Sequence, residues 1–412
     1  MSTLTTIPKP TSTTIPNETV EIDVNAVETN ASRLVCSIKP RWALKKFIFK
    51  KFTDDNHFIC YVISLKNNED DQSSVIIKVN PTNADVYTDY QEQFRLLNHF
   101  IQNKTAAPIL LKFTNGYISS YIEGKTLDIK EKETHELIAR KIAELHLIPN
   151  KFQEPHFIDK LKHLIDLFTD KSKNLRTRLV KIQKEKEKSG YYNKNFLNSF
   201  KSVIGFNTTP TFPLTMAQLQ LQLKDISWTE LSNDIDCIRT IFEKNWSSFD
   251  IPVVLGLNNM RINNFLFDSK TKEISIIDFD HCSQNYCLID IVQYFLELAS
   301  EDFERKYPSR QVQKQFLREY LKNTTLNLSS IIYDHLKPSD LELDQLCDLC
   351  GLLIAPVHLY WALWAFLQAL LTKPRSTFDY VKYGRIRLAQ YYLHKNKFFL
   401  PLNHAQKDKP KF

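Results

Sequence analysis

Hydrophobic and polar positions change rhythm along the chain. In the stretches 45–65 and 74–80, β-branched and apolar residues alternate or run together, as they do in strands. Val75-Ile76-Ile77-Lys78-Val79 reads as a buried strand interrupted by one lysine. Residues 88–102 follow a helical period through Phe94, Leu97, His99, Phe100 and Ile101. Two more apolar runs, 108–113 and 117–122, flank Thr114-Asn115-Gly116, which predicts a hairpin. From 130 the period becomes helical. His135 to Leu147 places Leu137, Ile138, Ile142 and Leu145 on one face, and residues 156–188 continue as helix. Ser232-Asn233-Asp234 offers a cap ahead of Ile235, Ile238, Ile241 and Phe242. Short strands are expected at 252–255, 265–267 and 274–277, with a polar loop from 256 to 264. Residues 288–398 are helical and aromatic. The pattern predicts an α+β chain of two lobes: a small β-rich one over 33–125 and a larger, mostly helical one over 126–398. Residues 1–32 are rich in Ser, Thr, Asn and Pro and read as a disordered tail, and 399–412 as a second tail.

Composition refines this picture. A chain of 412 residues with 43% hydrophobic positions can bury a sizeable core. A net charge of +7 favours anionic ligands without marking a nucleic-acid binder. Lysine and arginine concentrate in 171–194, where a solvated helix face is the simple reading and an anionic-membrane or acidic-partner patch the alternative. The 7 cysteines are scattered and the N-terminus is polar, which points to reduced thiols in the cytoplasm. Cys347 and Cys350 have CxxC spacing but no second ligand pair, so they read as core cysteines. Gly351 to Leu371 holds no Asp, Glu, Lys or Arg and could cross a bilayer. Pro356, His358 and Gln368, and the lack of a second such segment, favour a buried helix over a transmembrane span. Glycine is scarce at 7 residues, with none before Gly116.

Four pieces carry chemistry. A lysine inside an apolar strand, Lys78, needs an anion to meet it, and a nucleotide phosphate is one such anion. The loop Leu257-Asn258-Asn259-Met260-Arg261-Ile262-Asn263-Asn264 lies between two predicted strands, and Ile276-Ile277-Asp278-Phe279-Asp280 ends another. The amide oxygen of Asn264 and the carboxylate of Asp278 are hard ligands suited to magnesium. Trp361 and Trp364, three apart on one helix face, can attract an alkylammonium group, and Glu297 would add a carboxylate.

Together these residues resemble the choline/ethanolamine kinase family. Ile277-Asp278-Phe279-Asp280, followed by Asn285, Asp290, Phe295 and Glu297, is similar to the family's run of IDFE, N, D, F, E, with Asp280 in place of its last Glu. Trp361-Ala362-Leu363-Trp364-Ala365-Phe366-Leu367-Gln368 is similar to its WGLWxxxQ segment. Lys39-Pro40-Arg41-Trp42, the segment from Tyr121 to Asp128, and that from Ile138 to His146 look more like ethanolamine kinases than choline kinases. The resemblance implies a protein-kinase-like two-lobed fold with ATP between the lobes. It also implies ATP-dependent phosphorylation of ethanolamine or choline, a step of phosphatidylethanolamine synthesis, and a homo- or hetero-dimer. By position it assigns Lys78 to the ATP phosphates, Tyr121, Ile122 and Glu123 to the adenine hinge, and Asn264 and Asp278 to magnesium. Asp280, Glu297, Trp361, Trp364 and Tyr383 fall at the amine substrate.

Three departures stand out. The family's HNDxxxxN loop reads Leu257-Asn258-Asn259 and then Asn264, so the catalytic aspartate has become Asn259. The phosphate loop shrinks to Asp54-Asp55-Asn56-His57-Phe58, without glycine. The helix glutamate that pairs with the strand lysine falls on Tyr90. A neutral amide cannot accept the substrate's hydroxyl proton, and losing a positioned base costs on the order of 10²–10⁴ in rate. The expectation is a scaffold whose catalysis is lost or weak, a pseudokinase. The alternatives are an active kinase with a relocated base and a non-catalytic, amine-binding or regulatory partner of an active paralogue.

Overall fold

A computed structural model gives the fold. It describes residues 15–23, 26–51, 59–66, 74–80, 89–150, 157–168, 222–244, 251–300, 302–303, 305–328, 330–371 and 378–407. The expected phosphate loop at 54–58 and the basic segment 171–194 lie outside these. The chain divides into two units, Met1–Ala84 with Ala107–Ile122, and Asp85–Ala106 with Glu123–Phe412.

The first unit is a six-stranded sheet in the order β1-β5-β6-β4-β3-β2. The strands are β1 (Asn17–Glu18), β2 (Phe47–Lys51), β3 (Ile59–Leu65), β4 (Val75–Val79), β5 (Ile109–Phe113) and β6 (Gly116–Ser120). All neighbours are antiparallel except β1, which runs parallel to β5. Helix α1 (Val27–Ile38) turns Val27, Ala31, Leu34 and Val35 into one core with Trp42, Ile63, Val75, Ile77 and Ile118. The tail expected over 1–32 is therefore corrected from residue 17 onward. Ile22 is buried, and its N–H and C=O bond the Asn115 side chain at 2.9 and 2.8 Å. The polar composition hid a few well-spaced apolar residues that suffice once a sheet lies beneath them. Strand period explains Lys78. Val75, Ile77 and Val79 face the α1 core, so Lys78 belongs to the opposite face, where it is also buried. Gly116 faces β4 so closely that a Cβ there would lie 2.0 Å from the Lys78 carbonyl oxygen.

The second unit is mostly helical. Its first element, α2 (Tyr90–Gln102), is capped by Asp89, whose side chain accepts the Gln91 and Glu92 N–H groups. The sequence reading assigned 88–102 to the N-terminal lobe. It belongs instead with the helical unit, where Phe100 packs 4.9 Å from Phe279 and Gln93 Nε2 donates to Asp280 Oδ1 at 2.8 Å. Two small sheets follow: β7 (Lys125–Thr126) with β9 (Phe265–Asp268) and β10 (Glu273–Ile276), and β8 (Val253–Gly256) with β11 (Ser283–Tyr286). Around them lie α3 (Lys132–His146), α4 (Phe157–Phe168), α5 (Trp228–Lys244), α6 (Cys287–Ala299), α7 (Arg310–Lys322), α8 (Asp340–Leu371) and α9 (Tyr380–Lys407). The cap expected at 232–234 is corrected: α5 begins four residues earlier, with Ser227 Oγ accepting the Glu230 N–H at 3.3 Å. Asp234 is instead an interior residue that takes the Tyr391 hydroxyl at 2.7 Å and pairs with Lys395 at 2.7 Å. The apolar α8 is the one helix among the described residues long and apolar enough to span a bilayer, and it is mostly buried in the protein. Cys347 and Cys350 lie inside it, their thiols pushed up by burial.

Candidate active site

Strand β8 runs into a loop that the chain holds from below. The Asp290 carboxylate, at the first turn of α6, accepts the N–H groups of Leu257 and Asn258, both at 2.7 Å. On its other side His146 Nε2 lies 3.1 Å away, with His146 Nδ1 2.8 Å from the Tyr320 hydroxyl. All of these groups are buried. Asn258 takes up the left-handed turn (φ 55°) that asparagine tolerates. Its Nδ2 donates to Ser283 Oγ at 3.0 Å and to the His281 carbonyl at 3.2 Å, while its Oδ1 accepts from Asn285 Nδ2 at 2.7 Å. Asn258 and Asn285 are structural ties.

The next residue meets Asp278. Asn259 Nδ2 donates to Asp278 Oδ2 at 3.3 Å, an orientation fixed because a carboxylate only accepts. Asp278 Oδ1 accepts the Asp280 N–H at 3.2 Å. Asn264 Nδ2 donates to the Asn259 carbonyl at 2.9 Å, which leaves the Asn264 amide oxygen as a ligand. Asn264 Oδ1 and the Asp278 carboxylate are hard-oxygen donors of the kind that would hold magnesium. The residues fit that ion.

Beyond this loop lies an aromatic cluster. Trp361 and Trp364 stand edge to face, 5.1 Å between centroids. The His281 ring lies 5.2 Å from Trp361 and 6.0 Å from Trp364. Gln293 Oε1 accepts the Trp361 indole N–H at 3.3 Å. One turn along α6, Glu297 Oε1 accepts the Ile262 N–H at 3.1 Å, tying the loop to this cluster. Tyr383 sits on α9 with its ring under the Arg387 guanidinium at 5.1 Å and its hydroxyl 3.0 Å from Arg387 Nε.

A family model described as choline/ethanolamine kinase matches residues 54–392. The chain belongs to the choline/ethanolamine kinase family. Among curated relatives, ethanolamine kinase 2 of Mus musculus is 22% identical over 396 residues, covering 93% of this chain and 86% of its own length. Ethanolamine kinase 1 of the same species is 24% identical over 375 residues, covering 88% of each. Among solved structures, a Plasmodium vivax ethanolamine kinase superposes with a TM-score of 0.65 at 17% identity, covering 90% of this chain and 89% of that one. The fold is the protein-kinase-like one that the sequence motifs implied.

Set beside its family's motifs, the kinase-like scaffold brings Asn259, Asn264, Asp278 and Asp280 to one place, and Glu297, Trp361 and Trp364 to the neighbouring helices. Lys78, Tyr121 and Ile122 belong to the first unit and Glu123 to the second. Beside Tyr90, Asp89 caps α2 and Glu92 pairs with Arg95 at 2.6 Å. Residue-by-residue reading missed the His146–Tyr320 support of Asp290, the Gln293 grip on Trp361, and His281. A histidine directly after the IDFD run was the available signal for the last.

Proposed function

We propose that this chain binds a small amino alcohol in its helical unit and transfers the γ-phosphoryl group of ATP to it slowly or not at all, with Asn259 as the limiting residue. Kinase family membership implies ATP use. The observation that carries the reading is the amide of Asn259 donating to Asp278 at 3.3 Å. The attacking hydroxyl must lose its proton as the phosphate ester forms and ADP leaves. At the position where a family kinase presents an acceptor, this chain presents an N–H. Phosphoryl transfer depends mainly on positioning and charge neutralisation, so loss of the base slows the reaction without abolishing it in principle.

The roles follow the motif. By motif position alone, Lys78 would meet the phosphates, the 121–123 segment the adenine, and Asn264 with Asp278 would hold magnesium, which would neutralise charge on the phosphates. By motif position Glu297, Trp361, Trp364, Tyr383 and Asp280 would serve the ammonium group, and Gln93 Nε2 donates to Asp280. The relatives named ethanolamine kinase favour ethanolamine over choline as acceptor. A second reading is ordinary activity through another carboxylate beside the loop, favoured by the persistence of Asp278 and Asp280 there. A role as regulatory partner to an active paralogue in a mixed dimer is the reading left if nucleotide does not bind.

Thermal stabilisation by ATP–magnesium and by ethanolamine, applied separately, tests binding. Turnover by the purified chain, beside its Asn259→Asp variant, tests the chemistry. Slow or absent wild-type turnover that rises at least about 100-fold in the variant supports the proposal. Wild-type turnover at ordinary enzyme rates, about 1–100 per second, would refute it.

A further inference from the structure

We infer that the turn between α1 and β2 is a membrane-docking tip: Leu44 inserts into an anionic lipid surface while Arg41, Lys45, Lys46 and Lys66 meet its headgroups. The tip belongs to the first unit alone, and its docking does not depend on the amino-alcohol reading above.

The turn stands on a fixed base. Trp42 is buried in the α1 core and packs 5.9 Å from Phe47, with Lys39 over its ring at 5.3 Å. The Trp42 carbonyl accepts the Lys45 N–H at 3.1 Å. Between them Ala43 has φ −54° and ψ 139°, and Leu44 has φ 68°. These are the marks of a type II turn, whose third position calls for glycine or asparagine. A leucine there is strained by its own Cβ.

Folding gains nothing visible in return, because Leu44 is fully exposed. The other non-glycine residues with positive φ among the described residues are Lys104, Asn258, Lys272 and Ser300, all polar. Leu44 is the apolar exception, turned out into solvent by a conformation that is costly for it. A strained side chain aimed away from the fold points to a use outside the fold.

Charge indicates what lies outside. Residues 29–51 hold seven Lys and Arg and no Asp or Glu, which matches the formal net charge of +7 of the whole chain. Arg41, Lys45 and Lys46 flank Leu44 and are exposed. Lys66, the exposed residue after β3, joins them, its N–H bonded to the Lys46 carbonyl at 2.9 Å. None of these four forms an ion pair among the described residues. An apolar point among cations suits an anionic bilayer, whose headgroups attract the charges and whose acyl boundary takes the leucine. A folded partner would need a hollow shaped to one leucine. An acidic segment paired along the edge of β2 would make no use of Leu44, which precedes that strand.

The test is co-sedimentation of the full chain with vesicles of phosphatidylcholine alone and of equal parts phosphatidylcholine and phosphatidylserine, at low and high salt. Binding is expected to the mixed vesicles only, and it should weaken as salt screens the charges. Lys45→Glu/Lys46→Glu should weaken it by about 25-fold or more, since each cation near such a surface contributes about fivefold. Leu44→Gly should weaken it by about tenfold, the worth of a partly buried leucine. Glycine suits this turn, so the Leu44→Gly protein should melt no lower than the wild type, which separates lost docking from lost folding. Leu44→Trp should bind as well as the wild type, and lipids brominated in their acyl chains should quench its fluorescence. Equal binding to both vesicle types overturns the inference, and so does no binding to either. Salt-sensitive binding that neither Leu44→Gly nor the lysine variant weakens assigns the attraction to another basic segment and overturns it too. A chain that ignores vesicles but binds a glutamate-rich peptide through Lys45 and Lys46 would make this a protein-docking edge, again against the inference.

Discussion

The underside and the tip of the 257–264 loop differ in kind. Beneath it, Asp290 accepts two backbone N–H groups and meets His146, while Asn258 is tied to Ser283, Asn285 and the His281 carbonyl. These groups are buried and mutually satisfied, as a network of this kind must be to hold a unique shape. At the tip, Asn259 presents an amide to Asp278 at the position that the proposed function gives to the proton acceptor. The support for a catalytic loop and the chemistry on that loop are thus separable. On the proposed reading the first is kept, and the amide at residue 259 is one of the departures that weaken the second.

The sharpest test of that separation is Asn259→Asp. If the support is sound, activity should rise about 10²–10⁴-fold with ATP, magnesium and ethanolamine, measured as initial rates. The same change replaces a donor to Asp278 with a second carboxylate about 3.3 Å away. Without magnesium the variant should therefore lose about 1–3 kcal/mol in urea unfolding, and added magnesium should restore much of it.

The underside is tested by Asp290→Ala. It strips two buried N–H groups and His146 of their acceptor, and unfolding free energy should fall by about 3–5 kcal/mol. A loss under about 1 kcal/mol would mean that the loop is held by something else. The smallest expected effect concerns Lys160 on α4, whose amino group donates to the His281 carbonyl at 3.2 Å. Burial brings its pKa down to about 8 from 10.5. The unfolded chain binds the proton more tightly, so stability should rise with pH across about 8 to 10.5. Lys160→Met should flatten that rise in the melting temperature, and an unchanged slope would assign it to other groups.

The architecture was legible in the sequence wherever local pattern and tertiary role agree. Val75 to Val79 alternates around Lys78 because one face meets α1 and the other does not, and a period of two records this directly. The place of Asn259 beside Asp278 and Asn264 was legible because a five-residue step to Asn264 fixes the register. What escaped were residues whose role depends on distant partners. Ser232 to Asp234 has the composition of a cap, yet Asp234 is held inside α5 by Tyr391 and Lys395, more than 150 positions away. Helix α2 follows the β-rich stretch in sequence but packs through Phe100 on Phe279. His146 looks like the end of an amphipathic helix, and nothing local says that it meets Asp290.

The N-terminal strap bears on how this protein should be handled. The stretch matched by the family model begins at residue 54, after β1, α1 and β2. A protein trimmed to that stretch would lose both outermost strands of its sheet together with Ile22, Leu34, Val35 and Trp42 from its interior. Two newly bared strand edges and an uncovered apolar face invite sticking between molecules. An insoluble short form would then reflect where the cut was made and would say nothing about whether the full chain has activity.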